Sequence, residues 1–133
     1  MQLKSKLIIP LTAAGLLWTP LTVSADKGVD VKAYGTGPDW QLEIMDNTNR
    51  INFTLDGQTQ SYRYGKLGPT YYRDKKTHVY RVLDKNHAMS VFVKGKSCID
   101  SETGKSHEVT VIVSFDGKGY SGCGDVLTHL LEP

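Results

Sequence analysis

The sequence predicts an all-β domain, a small antiparallel β-barrel of about eight strands or a tight sandwich, held by one disulfide. Three observations carry this expectation. From Val29 onward, short stretches alternate apolar and polar residues, with no helical period longer than a couple of turns. Asp-Gly pairs at 56–57 and 116–117 directly follow two of those stretches, and Asp-Gly is among the strongest short hairpin signals. Only two cysteines, Cys98 and Cys123, occur in a chain that opens like an exported protein.

Residues 1–25 read MQLKSKLIIPLTAAGLLWTPLTVSA, with Lys4 and Lys6 before an apolar run and a small-x-small end at Val23, Ser24 and Ala25. This is the pattern of a secretory signal peptide. The run is broken by Pro10 and Pro20 and is shorter than the roughly 20 apolar residues that span a bilayer, so an uncleaved anchor fits less well. No cysteine follows the expected cleavage site, so a lipoprotein's acceptor is missing. The expectation is a periplasmic protein starting at Asp26, with residues 26–133 forming a single barrel-like domain and no membrane span.

The strands follow in order. Stretches at 30–34 and 40–45 come first. Ile51, Phe53 and Leu55 then alternate with Arg50, Asn52 and Thr54, and Asp56-Gly57 turns the chain into a returning strand at 58–64. Residues 65–74, GKLGPTYYRD, read as an exposed loop. Residues 77–84 and 88–94 form a second hairpin around Lys85 and Asn86, with Met89, Val91 and Val93 on one face. Residues 105–115 are the longest candidate strand, with Val109, Val111, Val113 and Phe115 inward, and Asp116-Gly117 turns it into 118–122. The segment 126–130 is a last short strand or, read as 126–131, a terminal helical turn. Closure of so many short strands leaves few unpaired edges.

Removing Lys4 and Lys6 leaves 14 Lys and Arg against 14 Asp and Glu. A near-neutral chain without a Lys/Arg block lacks the electrostatic footprint of nucleic-acid binding.

An even cysteine pair in an oxidising compartment reads as a disulfide, with a metal pair or a redox-active thiol as the alternatives. Closing that loop stabilises the fold by roughly 3 to 4 kcal/mol. The glycines around Cys123, in GYSGCGD, are expected to let the backbone turn tightly where it is tied to Cys98.

No nucleophile elbow or phosphate loop is present: GKLG and GKGYSG lack the required context. The expectation is a protein that is not an enzyme and needs no cofactor. His78, His87, His107 and His129 form no tight cluster. His87 and Met89 would share a strand face, a pairing that suits Cu(I), although two ligands are not a site. If reduced, Cys98 and Cys123 could join His107 and His129 in a Cys₂His₂ set of unfamiliar spacing. Tyr62, Tyr64, Tyr71 and Tyr72 gather beside Arg63 and Arg73, and Tyr and Arg are enriched at binding hot spots. The alternative is that these rings cover the rim of a barrel.

Gly37, Pro38 and Trp40 in YGTGPDWQLEI, with CIDSETGKSHEVTVIV followed by YSGCG, resemble a family of small bacterial envelope proteins of unknown function. Its members are often lipoproteins and sometimes accompany META domains. They carry a Gly-x-x-Pro-x-Trp motif, slightly compressed here, and a Cys-Asp segment closed by a terminal Gly-Cys-Gly or Gly-Cys-Ala. This chain departs from the pattern at Asp39, Glu102, His107 and Glu108. The resemblance implies a β-rich envelope protein and supplies no activity. A second resemblance, through Ser121-Gly122 and the loop with Gly68 and Tyr71, is to periplasmic inhibitors of c-type lysozyme, small barrels that insert a Ser-Gly loop into the lysozyme cleft. The sequence thus presents Tyr71, Tyr72, Arg73 and Ser121 as candidate binding residues, Gly37, Pro38 and Trp40 as a candidate structural motif, and an envelope protein or a lysozyme as partner. A periplasmic copper-binding protein is a further alternative.

Overall fold

A computed structural model describes residues 28–65 and 67–127. The expected signal peptide, His129 and the part of the 126–131 segment beyond Leu127 lie outside the described residues. Strands β1 (Val31–Gly35), β2 (Trp40–Met45), β3 (Arg50–Leu55) and β4 (Gln58–Arg63) form an antiparallel meander. Next come β5 (Thr70–Tyr72), β6 (Thr77–Arg81) and β7 (Met89–Lys94), then a small hairpin of β8 (Cys98–Ile99) and β9 (Ser106–His107). The chain closes with β10 (Val109–Phe115) and β11 (Lys118–Val126).

The main sheet runs β4-β3-β2-β1-β11-β10-β7-β6-β5 and curls into a half-barrel. It curls back on itself where Tyr64, just past β4, bridges Val82, just past β6, and the Leu83 amide donates to the Arg63 carbonyl at 3.0 Å. Every second residue of these strands points inward and lines the concave face. The buried set includes Val31, Leu42, Ile44, Ile51, Val91, Val93, Val109, Val111 and Val113. Both Asp-Gly turns have positive φ at the two central positions, 52° and 80° at Asp56-Gly57 and 50° and 84° at Asp116-Gly117. That backbone twist matches the twist of the flanking strands.

Three expectations are corrected. Residues 65–74 are not one loop, because Thr70–Tyr72 is strand β5, paired with β6, and Tyr71 is half-buried. The 105–115 stretch breaks at Glu108: β9 turns away to pair with β8, while β10 joins the main sheet.

The third correction concerns Cys123. Residues 118–122 do not end at a tight turn; they continue as β11, the longest strand at 9 residues, with Cys123 inside it. Its glycines serve close approach. A β-carbon on Gly122 would overlap the Tyr34 carbonyl oxygen and lie 2.9 Å from Trp40 Cζ2, and one on Gly124 would lie 2.8 Å from the Lys32 carbonyl oxygen. The inward faces of β11 and β1 are therefore drawn together around the Trp40 ring, which is 1% exposed. Val126, expected to open a separate strand, is instead the last residue of β11.

Candidate functional site

Because Gly122 and Gly124 face the core, Ser121, Cys123 and Asp125 face outward from β11. The β8–β9 hairpin lies over them. Cys98 is disulfide-bonded to Cys123 with Cα atoms 5.4 Å apart. Its cross-strand partner His107 places Nδ1 2.9 Å from Asp125 Oδ2 and Nε2 3.1 Å from the Tyr34 hydroxyl. Tyr34, paired with Cys123 across β1 and β11, donates to Asp100 Oδ2 at 2.6 Å. The Glu108 carboxylate accepts from the Val126 amide at 3.0 Å. The hairpin is thus tied to the barrel wall by a covalent bond and a chain running Asp125, His107, Tyr34, Asp100.

The hydrogen bond to Asp100, reinforced by the charges of Asp100, Asp125 and Glu102, holds the Tyr34 phenol above its ordinary value. The same bond holds the Asp100 carboxyl below its ordinary value. With the phenol proton directed to Asp100, both ring nitrogens of His107 face acceptors. Such an arrangement positions the hairpin against β1 and β11.

Beside the hairpin is a cleft of about 530 Å³ whose lining includes Tyr34, Asp39, Trp40, Asp100 and Glu102, with no Lys or Arg. A smaller hollow of about 170 Å³, lined by Ser121, Ser101 and both cysteines, shares Tyr34 and Asp100 with it. Gly37 and Pro38, joined by a cis peptide bond, form the turn between β1 and β2 beside this cleft. Ser121 is exposed.

The other candidate residues lie elsewhere. β5 is four strands from β11 in the sheet, so Tyr71, Tyr72 and Arg73 share no described cavity with Ser121. Tyr71 packs its ring on His78, with centroids 4.5 Å apart. Tyr72 and Arg73 are exposed. Tyr62 and Tyr64 are core residues.

His78 belongs to a buried polar group that the sequence did not suggest. The Tyr64 hydroxyl donates to Asp46 Oδ1, and Asp30 Oδ2 accepts from the Asp46 amide at 2.6 Å. Tyr64 and Tyr80 meet edge to face at 5.1 Å. Burial raises the Asp46 carboxyl and pushes both phenols far up, and burial lowers His78. Tyr80 Oη and His78 Nδ1 have no hydrogen-bond partner among the described residues.

His87 and Met89 form no pair of ligands. His87 lies before β7, bonded through Nδ1 to Asp116 Oδ2 at 2.7 Å and stacked on Phe115, while Met89 is in the core. Among the described residues no group of three or more His, Cys, Asp or Glu side chains could hold a metal ion. The disulfide removes both thiols from the Cys₂His₂ alternative.

Sequence reasoning missed the Tyr34–His107–Asp125 chain because its members are far apart along the chain. The available signal was alternation: carrying the strand past Gly122 would have put Ser121, Cys123 and Asp125 on one face. Comparison with protein-family models, curated proteins and solved structures finds no match for this chain.

Proposed function

We propose that this chain is an exported, non-enzymatic binding protein of the bacterial envelope that takes a basic protein partner in the cleft beside the disulfide hairpin. The observation that carries this reading is the cleft itself: three carboxylates, Asp39, Asp100 and Glu102, and no cation line it. One wall is the hairpin tied down by Cys98–Cys123, His107 and Tyr34. A rigid wall lowers the ordering cost of association, and a cleft of one charge sign concentrates the field that steers an oppositely charged partner. The signal-peptide pattern and the resemblance to envelope proteins supply the compartment.

The lysozyme-inhibitor reading uses the same corner. Ser121 adjoins the hairpin in the hollow that shares Tyr34 and Asp100 with the acidic cleft. One experiment tests both readings. The mature protein and its Asp100→Asn/Glu102→Gln variant are titrated against a c-type lysozyme, with activity and binding followed together, and are cross-linked in an envelope extract. Inhibition weakened by salt and by the variant supports the inhibitor reading. A basic envelope protein cross-linked to the wild type and lost in the variant supports the broader one. Equal capture of every partner by both forms overturns the assignment of this cleft.

A further inference from the structure

The charge of this chain is divided between two regions. Residues 63–94 hold 8 Lys and Arg and only 2 Asp, Asp74 and Asp84, whereas the acidic residues predominate in the rest of the chain. In the structure the basic segment supplies β5, β6 and β7, whereas the acidic cleft is lined from the β1–β2 and β3–β4 strands and the β8–β9 hairpin.

Along β6, His78 and Tyr80 point into the barrel, and Thr77, Val79 and Arg81 lie on the opposite face, where Thr77 and Val79 are buried and Arg81 is exposed. The register sets Thr77 beside Tyr72 and Lys94, and Val79 beside Phe92. Together with Lys75 these residues line an open groove of about 410 Å³ that contains three cations and no carboxylate. Lys75, Arg81 and Lys94 form no ion pair among the described residues. Arg81 stands four residues along the strand from the level of Lys94, about 13 Å away, with Val79 and Phe92 between them. Asp84 lies outside the groove and accepts from the Asn86 amide at 2.8 Å.

The outward row continues past Arg81. Val82 turns inward against the core, which sends Leu83 outward, where it is 71% exposed. Leu83 Cδ1 lies 3.9 Å from where a β-carbon on Gly65 would be, and Leu67, two residues on, is fully exposed. Leu83 therefore stands in solvent two residues past Arg81 of the groove, beside the Gly65 backbone, and Leu67 stands in solvent two residues beyond Gly65.

We propose that this face, from β5 to β7 with Leu67 and Leu83, docks on an anionic lipid bilayer. The cations meet headgroup phosphates, and the two leucines enter the boundary with the acyl chains. Charge complementarity selects an anionic occupant. The protruding leucines favour a bilayer over a soluble anionic polysaccharide, which would leave them in water. Tyr72, 41% exposed beside the cations, suits the interface between headgroup and chain, where aromatic rings with one polar edge settle. Docking in this way leaves the acidic cleft free for its own partner.

Vesicle co-sedimentation of the mature protein tests the proposal. Phosphatidylglycerol-containing vesicles should bind it at low salt and release it at high salt. Pure phosphatidylcholine vesicles should bind it weakly. Replacing all three cations (Lys75→Gln, Arg81→Gln, Lys94→Gln) should lower the partition on the order of a hundredfold, since each basic residue near an anionic surface contributes about one factor of five. Leu67→Ser/Leu83→Ser should lower it about tenfold. These positions are exposed or at the rim, and unchanged near-ultraviolet circular dichroism will show that the variants fold. In a Leu83→Trp reporter, emission from the new indole should shift to the blue on anionic vesicles. Equal binding to both vesicle types, or none at low salt, overturns the proposal. So does an unshifted reporter combined with competition by a soluble sulfated polysaccharide, which would assign the groove to a glycan.

Discussion

Placing a methyl group at Gly122 tests the account of the barrel directly. In Gly122→Ala the new carbon would overlap the Tyr34 carbonyl oxygen and fall 2.8 Å from Tyr34 C and 2.9 Å from Trp40 Cζ2. Two of those atoms are backbone, in a strand hydrogen-bonded to β11 and anchored by the Tyr34–Asp100 bond. The third belongs to a ring that is 1% exposed and packed near Phe53. None can yield cheaply, so β1 and β11 must separate locally. Overpacking of this kind costs typically 1 to 3 kcal/mol, and with two backbone contacts we expect about 3 kcal/mol. For a domain of this size that lowers Tm by roughly 12 to 24 °C. Gly119→Ala is the control, because it lies in the same strand with nothing within 4 Å of its would-be β-carbon. Thermal melts followed by near-ultraviolet circular dichroism will read both. If Gly122→Ala melts within about 2 °C of Gly119→Ala, the close approach of β1 and β11 is not what holds this corner.

Other perturbations separate the remaining contacts. Trp40→Ala should cost roughly 3 to 5 kcal/mol, measured by urea unfolding, because it empties the space between Gly35, Gly122 and Phe53. Tyr71→Ala should destabilise measurably while Tyr72→Ala should not, because the first ring covers buried His78 and the second stands in solvent; equal melting temperatures would contradict this. Reducing the disulfide should expose the β8–β9 hairpin to proteolysis before the barrel unfolds, with a loss of roughly 3 to 4 kcal/mol for a sequence separation of 25; cleavage spread evenly along the chain would argue against local undocking. Burial lowers the pKa of His78, so the unfolded chain binds its proton more readily than the folded one. Stability should therefore fall as pH drops below the unfolded value of about 6.5. The slope of unfolding free energy against pH there should flatten in His78→Gln, and an unchanged slope would assign the effect to another group.

The inward faces of most strands were legible because they depend only on period two. Met89, Val91 and Val93, and Val109, Val111 and Val113, carry their burial in their spacing. Both Asp-Gly turns were legible for a similar reason, since positive φ at two successive positions is a local demand. The Cys98–Cys123 bond followed from there being only two cysteines. β5 was not legible: Thr70, Tyr71 and Tyr72 sit among Gly, Pro and charged residues, and what makes them a strand is the free edge of β6 beside them. Nor was the role of the glycines around Cys123 apparent, because a glycine that turns a chain and a glycine that admits a neighbouring strand read alike.

What the sequence determined by itself was the class of the fold: short alternating strands, tight hairpin turns and one cross-link. The tertiary structure alone decided where the sheet curls back on itself, at Tyr64 and Val82, and which distant residues share a corner. Tyr34, Asp100, His107 and Asp125 are joined only once β1 lies against β11 and the small hairpin is tied across both. The physical reason is the range of the interactions. Alternation and turn chemistry act over a few residues and are written into each stretch. Side-chain hydrogen bonds are equally short in space, but here they link residues up to 73 positions apart, so they exist only after the barrel has curled.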